Sequence, residues 1–179
     1  MKVAFIGAHG VGKTALVFDQ AARFKREGVN VEIVAEVARS CPLPINEATS
    51  IEAQTWVLMT QIAKEIEASS KSQLAICDRS VLDNYAYLKR AYKSSNAGLV
   101  AWLCQWLNSY DLLIHVPIVD AEIQADGVRS TNMEFAEQID DSIVSLLGYF
   151  RVGRKCCELS LNRTTWSDEA YRFIKEGWL

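Results

Sequence analysis

The sequence contains no apolar run long enough to span a bilayer, and it has neither an internal repeat nor a low-complexity linker. A membrane-spanning helix needs about 20 consecutive apolar residues, so we expect no membrane partner. Met1 and Lys2 lead directly into an apolar segment, which leaves no room for a signal peptide and predicts a cytoplasmic location. The 179 residues suffice for one ordinary domain, so we expect a single domain over residues 1–179, as a monomer or a homodimer.

Five cysteines are present, but they form no C-x-x-C pair and have no histidine at metal-ligand spacing. We expect them to be reduced and to pack as small apolar side chains. The formal net charge of −3 also lacks the basic excess that draws a protein to nucleic acid in general. The composition therefore favours an intracellular globular protein whose function depends on local motifs.

One such motif lies near the start of the chain and reads G-x-x-x-x-G-K-[S/T], as Gly7-Ala8-His9-Gly10-Val11-Gly12-Lys13-Thr14. It lies between a strand-like segment, Lys2–Ile6, and a helix-like segment, Ala15–Arg26. Glycines allow a tight turn that aims several backbone N–H groups at one anion, and the following helix adds its positive end. The strand–loop–helix context therefore predicts a phosphate-binding loop for a nucleoside triphosphate such as ATP.

The motif also predicts which residues contact the nucleotide. Lys13 is expected to reach the outer phosphates, and the Thr14 hydroxyl is expected to bind Mg²⁺. The full set of predicted nucleotide contacts is Gly7, His9, Gly10, Val11, Gly12, Lys13, Thr14 and Ala15.

Apolar segments alternate with helical patterns along the chain, which predicts an α/β protein with a mostly parallel sheet. The strand-like segments are Lys2–Ile6, Val29–Ala35, Gln73–Cys77, Asp111–Pro117 and, less clearly, Gly148–Val152. The first four lack strict alternation, as expected of strands covered on both faces. A T-x-x-E spacing at Thr49 and again at Thr131 predicts the start of two helices.

Two charged residues, Asp78 and Arg79, follow the third strand-like segment. An Asp at this strand end, beside the phosphate-binding loop, is expected to help Thr14 hold Mg²⁺. An arginine in the next position, where work-performing ATPases usually place a water-activating Glu, suits an anionic substrate or a transferring phosphoryl group. A structural Asp–Arg pair that shapes the turn is the alternative.

The second strand-like segment is followed by Glu36 and Arg39, on the sheet edge where the phosphate-binding loop is also expected. Glu36 is a candidate to accept a proton from an attacking hydroxyl, a role for which Asp78 also remains open, and Arg39 is a candidate to hold the acceptor. An exposed pair that caps a loop would have the same spacing. Gln54, on the helix after Thr49, could read a nucleobase edge, although surface glutamines are common.

The polar segment Asp120–Ser130 contains Asp126-Gly127-Val128-Arg129 and could close over the nucleotide. Arg129 could then neutralise charge on the transferred phosphoryl group. Of the two histidines, His9 is expected to be a variable loop residue and His115 a satisfied core residue.

In combination, these residues resemble the P-loop kinases of small molecules, and most closely the AAA_28 family. That family is similar to the ribosylnicotinamide kinase domain of NadR-like proteins, and more distantly to deoxynucleoside and thymidylate kinases. The resemblance covers about residues 1–147. It implies the three-layer P-loop fold of the nucleoside-monophosphate-kinase type, with a five-stranded parallel sheet, helices on both faces and a short lid at about 120–130.

The resemblance also implies roles for single residues. Glu36 matches the acidic residue that contacts the acceptor hydroxyl, Gln54 the base-reading glutamine, and Arg79 the arginine of a Glu/Asp-Arg-Ser motif. Arg129 belongs to the lid. The lid of this sequence has only one clear arginine, and residues 151–166 depart from the expected pattern.

The leading hypothesis is therefore a kinase that uses ATP and Mg²⁺ to phosphorylate a nucleoside, a nucleotide or a similar small acceptor. An alternative is a kinase acting on hydroxymethylated pyrimidines in viral DNA, which would need a basic groove from residues such as Arg151, Arg154 and Lys155. A regulatory NTPase switch is less favoured, because the sequence has no guanine-reading Asn-Lys-x-Asp and has Arg79 in place of the water-activating Glu.

Overall fold

A five-stranded parallel sheet lies at the centre of the computed structural model, which describes residues 1–92, 96–119 and 131–178. The strand order is β2-β3-β1-β4-β5, and each of the four pairings is parallel. The strands are β1 (Lys2–Ile6), β2 (Val31–Val34), β3 (Leu74–Asp78), β4 (Leu112–His115) and β5 (Cys156–Glu158).

Helices cover both faces of this sheet and complete a three-layer arrangement. Those within the described ranges are α1 (Lys13–Arg26), α2 (Ile51–Lys71), α3 (Val81–Ala91), α4 (Ala97–Leu107), α5 (Met133–Tyr149) and α6 (Trp166–Trp178). Helices α1 and α6 pack on one face with Val3 and Phe5, and α2 to α5 pack on the other with Ala4 and Ile6. Because neighbouring residues of β1 are buried on opposite faces, the strand is apolar from Val3 to Ile6. The predicted α/β fold is confirmed.

The fifth strand is not where the sequence analysis placed it. Residues Gly148–Val152 were predicted to form it, but α5 continues through Tyr149 and β5 begins later, at Cys156. Leu146 and Phe150 are four residues apart and are buried in the same apolar cluster, so the apolar run extends the buried face of the helix. Arg151 follows with φ 56, a left-handed conformation that turns the chain away from the helix.

Two helices begin one residue later than predicted. Ser50, rather than Thr49, caps α2, and Asn132, rather than Thr131, caps α5. In each case the side-chain oxygen of the capping residue accepts a hydrogen bond from the backbone N–H three residues on. Both sites offer two adjacent residues able to cap, and spacing alone does not choose between them.

The carboxyl ends of parallel strands meet at one edge of the sheet, and this edge carries the residues to which the sequence analysis assigned chemistry. The phosphate-binding loop follows β1, Glu36 follows β2, and Arg79 follows β3. The predicted lid at 120–130, with Arg129, lies outside the described residues. In the part of the chain that the structure describes, no helix combines the length and the apolar character that a membrane crossing requires.

Candidate active site

The phosphate-binding loop needs glycine at positions where the backbone leaves no alternative. Gly12 has φ 103 and directly precedes α1, in a conformation that L side chains rarely adopt. Gly7 has φ 133, and a Cβ there would lie only 2.6 Å from the Val116 carbonyl oxygen. The loop therefore packs tightly against the end of β4 at Gly7, and its backbone is left-handed at Gly12, where α1 begins.

Lys13 is buried within this loop, with 5% of its surface exposed. Its Nζ donates to the carbonyl oxygen of Gly7 at 2.9 Å and to that of Ala8. Burial, and then the positive charge of Arg79, lower the pKa of Lys13 to about 8. A buried ammonium group whose pKa is lowered in this way gains stability when an anion such as a phosphate approaches it.

Thr14 and Asp78 come together at the start of α1 and the end of β3. The Thr14 Oγ1 donates to a carboxylate oxygen of Asp78 at 2.6 Å, and burial raises the pKa of this carboxyl group. A hydroxyl and a carboxylate are the hard oxygen ligands that Mg²⁺ prefers. The described residues contain no cluster of three or more His, Cys, Asp or Glu side chains that could hold a metal, so a cation here would need further ligands from phosphate or water.

Glu36 and Arg79 form an ion pair between the ends of β2 and β3. Arg79 Nε and Nη2 lie 2.9 and 2.7 Å from Glu36 Oε1, and Arg39 Nε lies 2.9 Å from Oε2. The Glu36 and Arg79 side chains are only 9% and 7% exposed. Burial alone would raise the pKa of Glu36, but the charges of Arg79 and Lys13 outweigh it and lower the pKa to about 2. Glu36 is therefore ionised at neutral pH.

The backbone of Arg79 is left-handed, with φ 80, which is strained for a residue with a side chain. Three contacts hold it in place. Its N–H donates to the Phe5 carbonyl at 3.0 Å, its carbonyl accepts from Gln61 Nε2 at 3.2 Å, and its guanidinium group is paired with Glu36. In this backbone conformation the arginine side chain reaches Glu36, just after β2.

Asp83, which was not predicted as a site residue, connects the start of α3 to the phosphate-binding loop. Its carboxylate accepts from the backbone N–H of Gly7 at 3.0 Å and from the N–H and hydroxyl of Ser80 at 2.8 and 2.7 Å. Ser80 and Asp83 form the capping box of α3. The S-x-x-D spacing directly after Arg79 was the available signal for this cap.

Two adjoining pockets open at this edge of the sheet, and they share His9, Glu36 and Arg79. The first contains the phosphate-binding loop with Lys13, Thr14 and Asp78. The second adds a mixture of polar and apolar side chains, namely Ala38, Arg39, Ile45, Gln54, Val57, Asn84 and Tyr87. We call the second one the acceptor pocket.

Gln54 and Gln61, seven residues apart on α2, have different surroundings. Gln54 lines the acceptor pocket, and its Nε2 donates to Thr49 Oγ1 at 2.8 Å. Gln61 is fully buried instead, where its Nε2 donates to Glu65 and to the carbonyl of Arg79. They share one helix face, but Gln61 lies deeper, beside the end of β3, so Gln54 lines the pocket and Gln61 does not.

Both histidines are buried, although His9 was expected to be a variable loop residue. His9 Nδ1 lies 3.0 Å from the Tyr87 hydroxyl. His115 lies between Asp140 and Glu158, at 3.1 and 3.3 Å, as expected of a satisfied core histidine. Asp140 also accepts from the backbone N–H of Ala8 at 3.2 Å, so His115 is connected to the phosphate-binding loop through one carboxylate.

The remaining predicted contacts lie on the loop itself. Val11 is buried and Ala15 is exposed in the first turn of α1. Arg163, which the sequence analysis did not assign, reaches the loop from the segment after β5. Its Nη2 lies 3.4 Å from the Val11 carbonyl oxygen, and its guanidinium carbon lies 5.1 Å from the centre of the Trp166 ring.

The basic residues proposed for a DNA groove, Arg151, Arg154 and Lys155, lie elsewhere. They precede β5, at the amino edge of the sheet, opposite to the phosphate-binding loop. Lys155 Nζ donates to the backbone carbonyls of Asn108 and Tyr110, which precede β4. These residues therefore do not form a basic path to the site.

A G-x-x-x-x-G-K-[S/T] loop between the first strand and first helix of a parallel sheet, with Thr14 bonded to Asp78, defines a P-loop nucleotide-binding fold. More narrowly, the chain belongs to the AAA_28 family, an AAA domain, whose model matches residues 2–168. No curated protein matches the sequence.

Solved structures of two kinases have similar folds. Thymidylate kinase from Ehrlichia chaffeensis is 16% identical with a TM-score of 0.65, over 100% of this chain and 98% of that one. Deoxyadenosine kinase from M. mycoides with bound dATP is 16% identical with a TM-score of 0.65, over 98% and 99%. The same enzyme with the products dCMP and dCDP is 15% identical with a TM-score of 0.66, over 98% and 100%. At these identities the likeness shows the fold.

Proposed function

We propose that this protein is an ATP- and Mg²⁺-dependent kinase that transfers the γ-phosphoryl group to a hydroxyl of a nucleoside-like small molecule. The observation that carries the proposal is the pair of adjoining pockets that share His9, Glu36 and Arg79. Hydrolysis needs only a water beside the triphosphate, whereas transfer needs room for a second substrate. The fold shared with thymidylate and deoxyadenosine kinases supports the same class of reaction.

The donor side would use the phosphate-binding loop. Its backbone N–H groups and the Lys13 ammonium would bind the phosphates, and the low pKa of Lys13 makes pairing with an anion favourable. Thr14 and Asp78 would hold Mg²⁺, which neutralises negative charge on the phosphates when it is bound. Arg79, at the junction of the pockets, would stabilise charge on the transferred group.

The acceptor side would use Glu36. Its carboxylate stays ionised at neutral pH and lines both pockets, whereas Asp78 lines only the pocket of the phosphate-binding loop, where it bonds Thr14. The hydroxyl oxygen forms a bond to the γ-phosphorus, the bond to the β,γ-bridging oxygen breaks, and ADP leaves. Glu36 receives the hydroxyl proton. A hydroxyl has a proton for this carboxylate to accept, whereas a phosphate dianion has none, so a base at this position suits a hydroxyl acceptor.

Recognition of the rest of the acceptor would involve Gln54, Arg39 and the apolar side chains Ile45 and Val57. An amide presents a donor and an acceptor in one plane, which suits the edge of a nucleobase. A nucleoside fits this combination of polar and apolar groups.

The experiment is transfer of label from γ-labelled ATP, with Mg²⁺, to a panel of acceptors. The panel contains the common nucleosides, their monophosphates, ribosylnicotinamide, and DNA that carries hydroxymethylated pyrimidines. We expect label on one unphosphorylated nucleoside class, and a fall of at least about a hundredfold in kcat for Glu36→Gln. ADP formation at one rate with every acceptor, without a labelled product, would contradict the proposal. Label on the DNA alone would support the DNA-directed alternative.

A further inference from the structure

His9 lies where the two pockets meet, and its side chain points away from the phosphate-binding loop toward α3 and α5. Its ring centre lies 5.2 Å from that of Phe135 and 6.5 Å from that of Tyr87, and its Nδ1 contacts the Tyr87 hydroxyl. Only 2% of its surface is exposed. The imidazole is therefore fixed in one orientation beside the acceptor pocket.

This imidazole is neutral. Burial, and then the positive charges of Arg79 and Lys13, lower the pKa of His9 to about 4, against the weaker opposing effect of Glu47 and Glu36. A neutral imidazole carries one proton, on either Nδ1 or Nε2, and the hydrogen bond made by one nitrogen determines the state of the other.

The Tyr87 hydroxyl determines which nitrogen is protonated. The Arg79 guanidinium carbon lies 5.0 Å from the centre of the Tyr87 ring, and a guanidinium group, as a pure donor, cannot accept the hydroxyl hydrogen. His9 Nδ1, at 3.0 Å, is the acceptor in reach, so the hydroxyl donates to Nδ1. The proton of the imidazole is then on Nε2. The opposite tautomer would leave the buried hydroxyl hydrogen without a partner.

His9 Nε2 has no hydrogen-bond partner among the described residues, although it is buried. Asn84 Nδ2, which belongs to a residue lining the same acceptor pocket, is also buried and unpaired. An unpaired buried donor is destabilising, and buried polar groups are nearly always paired in native proteins. Two unpaired donors around one pocket indicate a ligand that brings hydrogen-bond acceptors.

We propose that His9 binds the acceptor substrate by donating its Nε2–H to an oxygen of that substrate, and that Asn84 donates to a second acceptor atom. The proposal rests on the kinase function proposed above. His9 would then contact the acceptor substrate through its side chain. The contact with the nucleotide, predicted from its position in the phosphate-binding loop, is a separate one.

The kinetic test compares two amides in place of the imidazole. The Gln amide nitrogen reaches about as far as Nε2 of histidine, whereas the shorter Asn amide reaches only as far as Nδ1. We expect His9→Asn to raise the KM for the acceptor about tenfold, as loss of one hydrogen bond would, with the KM for ATP unchanged. His9→Gln should recover most of the affinity. Unfolding temperatures of both variants control for damage to the fold.

A second measurement reads the tautomer directly. The chain has only two histidines, so ¹⁵N-histidine NMR gives two imidazole spin systems, and His115→Gln identifies which one belongs to His9. We expect the Nε2–H tautomer of His9 at pH 7, and a change in its Nε2 resonance when the acceptor is added without ATP. The Nδ1–H tautomer would overturn the proposal.

Kinetic outcomes separate the two proposals. If both His9 variants match the wild type, or if only the KM for ATP changes, the role assigned to His9 is wrong while the kinase function stands. If the wild type phosphorylates no acceptor, the kinase function itself is wrong.

Discussion

The ammonium group of Lys13 is buried against carbonyl oxygens of its own loop, and its pKa is lowered from 10.5 to about 8. Between these two values the unfolded chain binds more protons than the folded one, so this residue makes the ligand-free protein more stable as pH rises. Bound phosphate reverses the effect, because a nearby anion favours the protonated form.

We therefore predict that ATP binding at pH 8.5 takes up roughly 0.8 proton, the fraction missing from a group of pKa about 8. Calorimetric titration in buffers of different ionisation enthalpy measures this number. Lys13→Arg is the matched control, because a guanidinium group is always charged and cannot take up a proton. Equal uptake by the wild type and this variant would show that another group is responsible.

The surroundings of some site residues could be predicted from the sequence, and those of others could not. Lys13, Thr14 and Asp78 follow from motifs whose spacing fixes their neighbours, and the structure brings all three together. The environment of His9 depends on Tyr87, which follows it by 78 positions, and no local pattern indicates that contact. The capping box of Asp83 was visible as a local spacing in the sequence. Its hydrogen bond to Gly7 was not, because the two residues are 76 positions apart.

At the scale of elements, His115 connects β4 to α5 and β5 through Asp140 and Glu158. Burial alone would lower the pKa of His115, but the hydrogen bond and charge of Asp140, together with Glu158, raise it above 6.5. A raised folded pKa gives stability that is complete below pH 6.5 and is lost as pH rises through the folded value.

We predict that His115→Gln lowers the free energy of unfolding by about 1 kcal/mol or more at pH 6, and by less at pH 8.5. Urea denaturation at the two pH values measures the difference. Asp140→Asn, which removes the carboxylate charge, should reduce this pH dependence. A loss that is the same at both pH values would mean that the charge of His115 contributes nothing.

A buried polar network connects β1, α2 and α4 around Glu65. This fully buried carboxylate accepts from Lys2 Nζ at 2.8 Å, Trp106 Nε1 at 3.0 Å, Tyr110 Oη at 2.5 Å and Gln61 Nε2 at 3.0 Å. Through Gln61 the network also reaches the strained backbone of Arg79.

We predict that Glu65→Leu destabilises the fold by about 3–5 kcal/mol, because it leaves the Lys2 ammonium buried without its counter-charge. Adding Lys2→Met should restore at least half of the loss, as measured by urea denaturation of all four members of the double-mutant cycle. Glu67→Ala, which breaks exposed pairs on the same helix, should leave stability unchanged. Additive losses for Lys2 and Glu65 would contradict the coupling.

Helices and strands could be predicted from the sequence where their hydrophobic pattern extends over many residues. The amphipathic stretches that became α1, α2 and α5 and the apolar segments that became β1 to β4 were predicted, because each buries a continuous face. β5 has three residues and two cysteines, too short a segment to show a period. The apolar run at Gly148–Val152 was longer and was mistaken for it.

For the whole molecule, a ligand that binds only the folded state must stabilise it. We predict that ADP with Mg²⁺, at 100 times its dissociation constant, raises the free energy of unfolding by about 2.7 kcal/mol. Gly12→Ala should abolish this gain, because its φ of 103 is unsuited to alanine and the new Cβ would lie 2.9 Å from Arg163 Nη2.

Gly28→Ala is the matched control for that experiment. Gly28 also has a left-handed φ, of 81, but it has nothing within 4 Å and lies after α1, away from the site. Both substitutions should destabilise the ligand-free protein, whereas only Gly12→Ala should lose the response to ADP. Thermal unfolding with and without the nucleotide measures both effects. An equal response in the two variants would mean that the loop does not bind the phosphates.

The parallel sheet and its functional edge could be predicted because parallel strands place all their carboxyl ends together. The meeting of two pockets at His9, Glu36 and Arg79 could not, since it depends on how α2 and α3 pack over that edge. The location of a basic cluster depends on the fold in the same way, as Arg151, Arg154 and Lys155 show. Their charge is plain in the sequence, but their position on the opposite edge depends on where β5 begins.

The central position of β1 also determines how this chain can fold. β1 pairs with β3 and β4, and the strand that follows it in sequence, β2, does not touch it in the sheet. During synthesis both edges of β1 therefore stay unpaired until residues up to 78 and then 115 have emerged. Pairing over such sequence distances is slow and leaves apolar strand edges open to association. The strand that precedes the phosphate-binding loop is therefore made well before either of the two strands that pair with it.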